Sequence, residues 1–251
     1  MNASSDAVPE RRLGVLAFGD SITNGGGELQ WGVALQSWAL WVARGLGLPY
    51  TGYASDGARA ADVAGVQIPA FTSHDANPGA SYDVGCLYIG VNDVRSLDWD
   101  PAAFELAYEC ALRFLSRRCR RVLAVTAPLR LGYPGVPLTE VLQLNAAVAR
   151  IAAAHGALLV DLRGFEARNL VMADRVHPTA FGQVAIAQRA LAVLDRDGLP
   201  TRVAPSSLIR FETTRVGRLR GDLTYTYRRV KQLAKLAAVR AQLAARGWGR
   251  G

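Results

Sequence analysis

Leu13-Gly14-Val15-Leu16-Ala17-Phe18-Gly19, running directly into Asp20-Ser21-Ile22-Thr23, is the stretch that decides the fold. Seven residues with no charge and no polar alternation read as a strand buried on both faces, which is how strands of parallel sheets look. Three more segments share that character: Val84–Gly90, Arg121–Ala127 and Ala157–Leu162. Tyr50–Ala54 reads as a shorter strand. Between them lie helical patterns at Gly32–Leu46, Pro101–Arg117, Thr139–His155 and Pro178–Asp195. The proline of Pro101–Arg117 suits a first helical turn. Strands alternating with helices predict a three-layer α/β/α domain, a flavodoxin-like doubly wound five-stranded parallel sheet. Ligands of such a sheet bind beyond the carboxyl ends of its strands.

Composition supports one domain with an appendage. Of 251 residues, half are apolar and a fifth charged, as in ordinary globular proteins. The net charge of +8 is unevenly spread. From residue 202 onward 12 basic residues face only Glu212 and Asp222, whereas the preceding part is slightly acidic. The expected division is therefore a tail over 1–12, a main domain over 13–200 and a basic extension over 201–251, helical from about Asp222. In that helix Leu223, Tyr227, Val230, Ala234, Ala237, Ala241 and Ala244 share one face, with Arg228, Lys231, Lys235 and Arg246 on another. Such a helix suits an anionic membrane surface or an acidic partner. No nucleic-acid motif accompanies the charge.

The residues before Leu13 lack the apolar segment of a signal peptide, and no window reaches the roughly 18 apolar residues of a membrane span. Cys86, Cys110 and Cys119 are odd in number and fit no zinc spacing, so they read as free thiols. Together these features predict a cytoplasmic protein, with peripheral membrane contact through the tail as an option.

Four clusters follow strands. Gly19-Asp20-Ser21-Ile22-Thr23 sits at the end of the first, where a serine either caps a helix or projects as a nucleophile. Asp174-Arg175-Val176-His177-Pro178 supplies a base near neutral pH and, three residues earlier, a carboxylate able to hold its other ring nitrogen. Gly57 and Gly90-Val91-Asn92-Asp93 offer a backbone N–H, approachable because glycine has no side chain, and an amide side chain. Such donors meet the oxyanion of acyl transfer.

In this order and spacing the clusters resemble the SGNH/GDSL hydrolase family, named for the Ser, Gly, Asn and His that fall here on Ser21, Gly57, Asn92 and His177. The resemblance covers about residues 13–195. The block around Gly57, Ala54-Ser55-Asp56-Gly57-Ala58-Arg59, is a loose match, and Ile22 stands where many members have leucine. What the resemblance implies is acyl-serine chemistry on a small-molecule, carbohydrate or lipid-like ester, without metal or cofactor. Ser21, Asp174 and His177 would form the triad; the backbone of Ser21 and Gly57 with Asn92 would form the oxyanion hole. Asp20 and Trp31 are candidate pocket residues. The same set serves an esterase or an acyltransferase with a sugar or lipid acceptor. A non-catalytic scaffold working through the tail is the third reading, and the intact set argues against it. The α/β-hydrolase alternative fails because no Gly-x-Ser-x-Gly elbow surrounds Ser21. His74 reads as a surface-loop residue and His155 as a helix end; Trp38 and Trp41 read as core.

Overall fold

Every side chain of Val15–Gly19 (β1) is buried, and the strand is paired on both edges, as its unbroken apolar run requires. The computed structural model describes residues 13–30, 33–75, 78–133, 135–209 and 215–248; within the last segment some side chains are excluded. Tyr50–Gly52 (β2), Tyr82–Tyr88 (β3), Cys119–Val125 (β4) and Leu158–Val160 (β5) complete a wholly parallel sheet in the order β2-β1-β3-β4-β5. That is the doubly wound order with its switch point between β1 and β3. Register places Gly19 beside Tyr88, so the chain leaves β1 and β3 side by side at the crevice.

Trp38–Leu46 (α1) and Ala180–Arg196 (α7) pack against each other on one face. Trp38 and Trp41 are both in the core, as their helical spacing suggested. The other face carries a broken helical segment, followed by Pro101–Arg118 and Leu138–Ala154. The broken segment comprises Ala60–Asp62 (α2), a π-helical turn Val63–Gln67 and Ile68–His74 (α3). After the short Val91–Val94 (α4), Pro101–Arg118 is α5 and Leu138–Ala154 is α6. Phe18, Tyr53, Phe71, Tyr82 and Phe114 meet there mainly edge to face, the arrangement aromatic quadrupoles favour.

Three expectations shift. The first helix starts at Trp38 rather than Gly32: Val33 pairs with Gln30, and the Ser37 hydroxyl caps the helix by accepting from Ala39 N at 3.1 Å. His74 lies not in a loop but at the end of α3, its ring stacked on Tyr53. The C-terminal helix, Arg215–Trp248 (α8), begins ahead of Asp222. Asp222 does not cap it; its carboxylate meets Arg168 instead. His155 does end a helix, and its Nε2 lies 3.1 Å from Glu109. Cys86, Cys110 and Cys119 are free thiols. Among the described residues no helix is long and apolar enough to cross a membrane.

Candidate active site

The turn after β1 is held from both sides by buried glutamines. Gln67, on the π-helical turn, accepts from Gly19 N at 3.0 Å and donates to Gly19 O at 2.8 Å. One side chain thus satisfies both backbone groups of the last strand residue, just before the serine. A π turn rotates a side chain out of helical register, and such turns recur at functional sites. Gln183, on α7, donates to Ile22 O at 2.9 Å and Gly26 O at 3.0 Å, and accepts from Trp38 N at 2.8 Å. Gly19 sits at φ +153°, and a Cβ there would lie 2.5 Å from Tyr88 O, so only glycine lets β1 and β3 close at this point.

On this support Ser21 Oγ lies 2.9 Å from His177 Nε2, and His177 Nδ1 lies 2.8 Å from Asp174 Oδ2. The other Asp174 oxygen accepts the backbone N–H groups of Val176 at 2.9 Å and His177 at 3.1 Å. The Asp-x-x-His spacing closes because Arg175 adopts φ 57°, a left-handed conformation that L side chains seldom take. Gly132 N donates to Arg175 O at 3.0 Å, and Tyr133 lies under the guanidinium, which hold that turn in place. Burial pushes the Asp174 carboxyl up. The hydrogen bond from His177 and the two backbone N–H groups outweigh it, leaving the carboxyl below its ordinary value. The bond to Asp174 holds the imidazolium of His177 above its ordinary value, against the opposing effect of burial.

Asn92 is the second residue of the short α4, and its amide donates to Ala58 O at 3.0 Å. An amide carries two N–H donors, so one serves the neighbouring turn and the other can meet an oxyanion. The Ala58 bond ties Asn92 to the turn that contains Gly57. Gly57 has φ +77°, yet a Cβ there would meet no protein atom within 4 Å. Its backbone conformation alone thus favours glycine at this position. Asn24 reaches across to Asp56 at 2.9 Å, joining the serine turn to the same loop.

Asp20 does not line a pocket. It is wholly buried, its Oδ1 accepting from Ile22 N at 2.9 Å while its Oδ2 has no hydrogen-bond partner. Burial raises its carboxyl to about 7, partly offset by the Ile22 N–H and the charge of His177. Trp31, the other pocket candidate, lies outside the described residues, as does the tail over 1–12. A cavity of about 240 Å³ opens beside the serine turn, lined by residues including Asn24, Ser37, Leu40 and Tyr50. Neither Ser21 nor His177 lines it; the dyad faces the surface, with about a third of the His177 side chain exposed. Sequence reasoning missed Gln67, Gln183 and Arg95. The charge of Arg95 opposes protonation of His177, and its one sequence signal is its place three residues after Asn92. Among the described residues no His, Cys, Asp and Glu group could hold a metal ion.

The Asp20–His177 coupling gives a test in pH. If His177 serves as a general base it must be neutral, so kcat/KM is then expected to fall as pH drops through the raised His177 value. Asp20 contributes to that elevation. Asp20→Asn is therefore expected to move the acid limb of the kcat/KM profile to lower pH. The stability effect has the opposite sense to a salt-bridged carboxylate. A carboxyl raised from 3.8 to about 7 on folding stabilises fully below about 4, and that contribution is lost as pH rises through 7. Thermal midpoints of the wild type should drop more between pH 5 and 8 than those of Asp20→Asn. An unmoved acid limb would show that Asp20 does not act on His177.

Set beside known proteins, the arrangement has close parallels in fold. An α/β hydrolase from the metagenome of Lake Arreo, LAE5, superposes with a TM-score of 0.57 at 20% identity, covering 74% of this chain and 96% of its own. Axe2, an acetylxylan esterase from Geobacillus stearothermophilus, gives 0.56 at 20% identity, with 74% and 95% covered. A member of the lipolytic G-D-S-L family from Veillonella parvula gives 0.58 at 23%, with 73% and 98% covered. At these identities the likeness is one of fold. No curated protein matches the chain in sequence. The family model of GDSL-like lipases and acylhydrolases, however, matches residues 17–185. That span takes in Ser21, Asn92 and the Asp174–His177 turn alike, and on its strength the chain belongs to the GDSL-like lipase/acylhydrolase family.

Proposed function

We propose that the protein is a carboxylester hydrolase acting through an acyl-serine intermediate on Ser21. The observation that carries this reading is the unbroken chain from Ser21 Oγ to His177 Nε2 and from His177 Nδ1 to Asp174, at 2.9 and 2.8 Å. His177 takes the Ser21 proton as the oxygen attacks the acyl carbonyl. Asp174 holds the ring in the tautomer that leaves Nε2 free to accept. The backbone N–H groups of Ser21 and Gly57 and the amide of Asn92 receive the oxyanion. His177 then protonates the departing alcohol, and a water, deprotonated by the same ring, releases the acid. Esterase activity in fold relatives such as the acetylxylan esterase Axe2 supports small acyl esters of carbohydrates as a substrate class to try first. The three free thiols suit a reducing compartment, and with it the cytoplasm.

The test is a fluorophosphonate probe, which traps an activated serine, run beside p-nitrophenyl esters from acetyl to decanoyl. Labelling is expected on the peptide containing Ser21, with turnover of one or more esters. Equal labelling of wild type and Ser21→Ala would sink the assignment. Adding sugar or lipid alcohols and measuring acyl transfer against hydrolysis separates esterase from acyltransferase, since both use the same first half-reaction.

A further inference from the structure

The helix α8 is 34 residues long, about 51 Å at 1.5 Å per residue. Its described contacts with the domain lie on one side: Asp222 with Arg168, Tyr225 under the Arg168 guanidinium, and Arg228 with Glu28 at 2.5 Å. Val216, Leu219, Leu223, Tyr227 and Val230 recur at steps of three and four and fall on another side. Their exposures run from 58% to 75%. Ala234, Ala237 and Ala241, also exposed, continue the stripe. An apolar stripe of this length left in water marks a surface that something covers.

Charge selects the occupant. At 100° per residue, exposed Lys231 lies about 80° from the middle of the stripe, at its border, and exposed Arg229 about 120° away, on the side of Asp222. Of the charged residues in 215–248, nine are basic and one, Asp222, is acidic, and Asp222 is already held by Arg168. A second copy laid on the stripe would bring two strongly basic helices together, with only alanine at three of the eight contact positions. An anionic bilayer surface instead receives both features: the apolar side chains enter the acyl boundary and the cations stay among the headgroups. We propose that α8 is an in-plane anchor that docks the protein on anionic phospholipid surfaces. The helix is also tied to the domain through Glu28. Glu28, which Arg228 holds, accepts from Ala180 N through its carbonyl at 2.8 Å and pairs with Thr179, two residues past His177. Arg228 thus joins the helix to the segment that pairs with the start of α7.

Co-sedimentation of the full chain with sucrose-loaded vesicles tests this. Binding is expected to phosphatidylcholine/phosphatidylglycerol 7:3 vesicles and to be at least tenfold weaker to phosphatidylcholine alone. Arg229→Gln with Lys231→Gln should weaken binding roughly 25-fold, about fivefold per charge. Leu223→Asp with Val230→Asp should abolish it. Circular dichroism of each variant distinguishes lost docking from lost folding, and a second apolar pair, Leu219→Asp with Tyr227→Asp, repeats the test if the first fails to fold. Three results would overturn the proposal: no sedimentation of the folded wild type with the anionic vesicles, equal binding to neutral ones, or a solution dimer dissolved by Leu223→Asp. Capture by polyglutamate without any vesicle binding would likewise replace the membrane with an acidic protein partner.

Discussion

His177→Ala is expected to lower kcat/KM on the order of 10⁵-fold, and Ser21→Ala combined with His177→Ala to lower it hardly further. The reason is geometric. A hydroxyl 2.9 Å from an imidazole nitrogen is a nucleophile only while that nitrogen can take its proton, so either residue alone contributes little without the other. Independent contributions would multiply, and the double variant would then be some 10¹⁰-fold impaired. Shared ones saturate at the residual rate provided by binding and by the oxyanion donors. The measurement is kcat/KM on the best ester of the graded panel for the two single variants and the double. Circular dichroism confirms that each is folded. Folding should survive, because His177 is only partly buried and its backbone N–H bond to Asp174 remains. Multiplicative losses, or a His177→Ala variant within tenfold of wild type, would remove His177 from the role of general base.

The fold and the Asp174–His177 contact were legible for the same reason: each depends on local pattern. Five apolar runs separated by helical periods specify the sheet, and Val15–Gly19 declares itself buried without reference to any partner. Asp174 and His177 are three residues apart, so the pairing is visible in the chain itself. What escaped depends on contacts between distant segments. Gln67 and Gln183 lie 48 and 161 residues from Gly19 and Ile22, the backbone groups they satisfy, and a glutamine within a helical pattern carries no sign that it will be buried. The broken helix that carries Gln67 was hidden because Gly65 and Pro69 interrupt its apolar period. Asp20 stands beside Ser21 and reads as a pocket residue, yet the turn after β1 folds its carboxyl back onto Ile22 N and buries it. The start of α1 misled for the opposite reason. Val33 and Leu35 extend an apolar period that a bridge from Val33 to Gln30 overrides.

Asp174→Asn is expected to lower kcat about 10⁴-fold while leaving the site's geometry nearly intact, because the change acts on a tautomer. In the native turn the two carboxylate oxygens divide their work. Oδ1 accepts the backbone N–H groups of Val176 and His177, and Oδ2 faces His177 Nδ1 at 2.8 Å. An asparagine must keep its oxygen on the two backbone donors, since turning its NH₂ toward them would set donors against donors. Its NH₂ then faces Nδ1, which can only accept. The ring proton moves to Nε2, the nitrogen that must take the Ser21 proton, and the nucleophile loses its base. The variant also loses the charge that holds the imidazolium above its ordinary value, so residual activity should show its acid limb at lower pH. Asp174→Ala separates the tautomer from the charge. It removes the carboxylate without imposing the wrong tautomer, so its kcat should exceed that of Asp174→Asn, although it leaves the Val176 and His177 N–H groups unpaired and costs about 1–3 kcal/mol of stability for each of them that is shut off from water. If Asp174→Asn and Asp174→Ala were equally impaired, with unchanged acid limbs, Asp174 would be a support for the Arg175 turn and not the group that sets the state of His177.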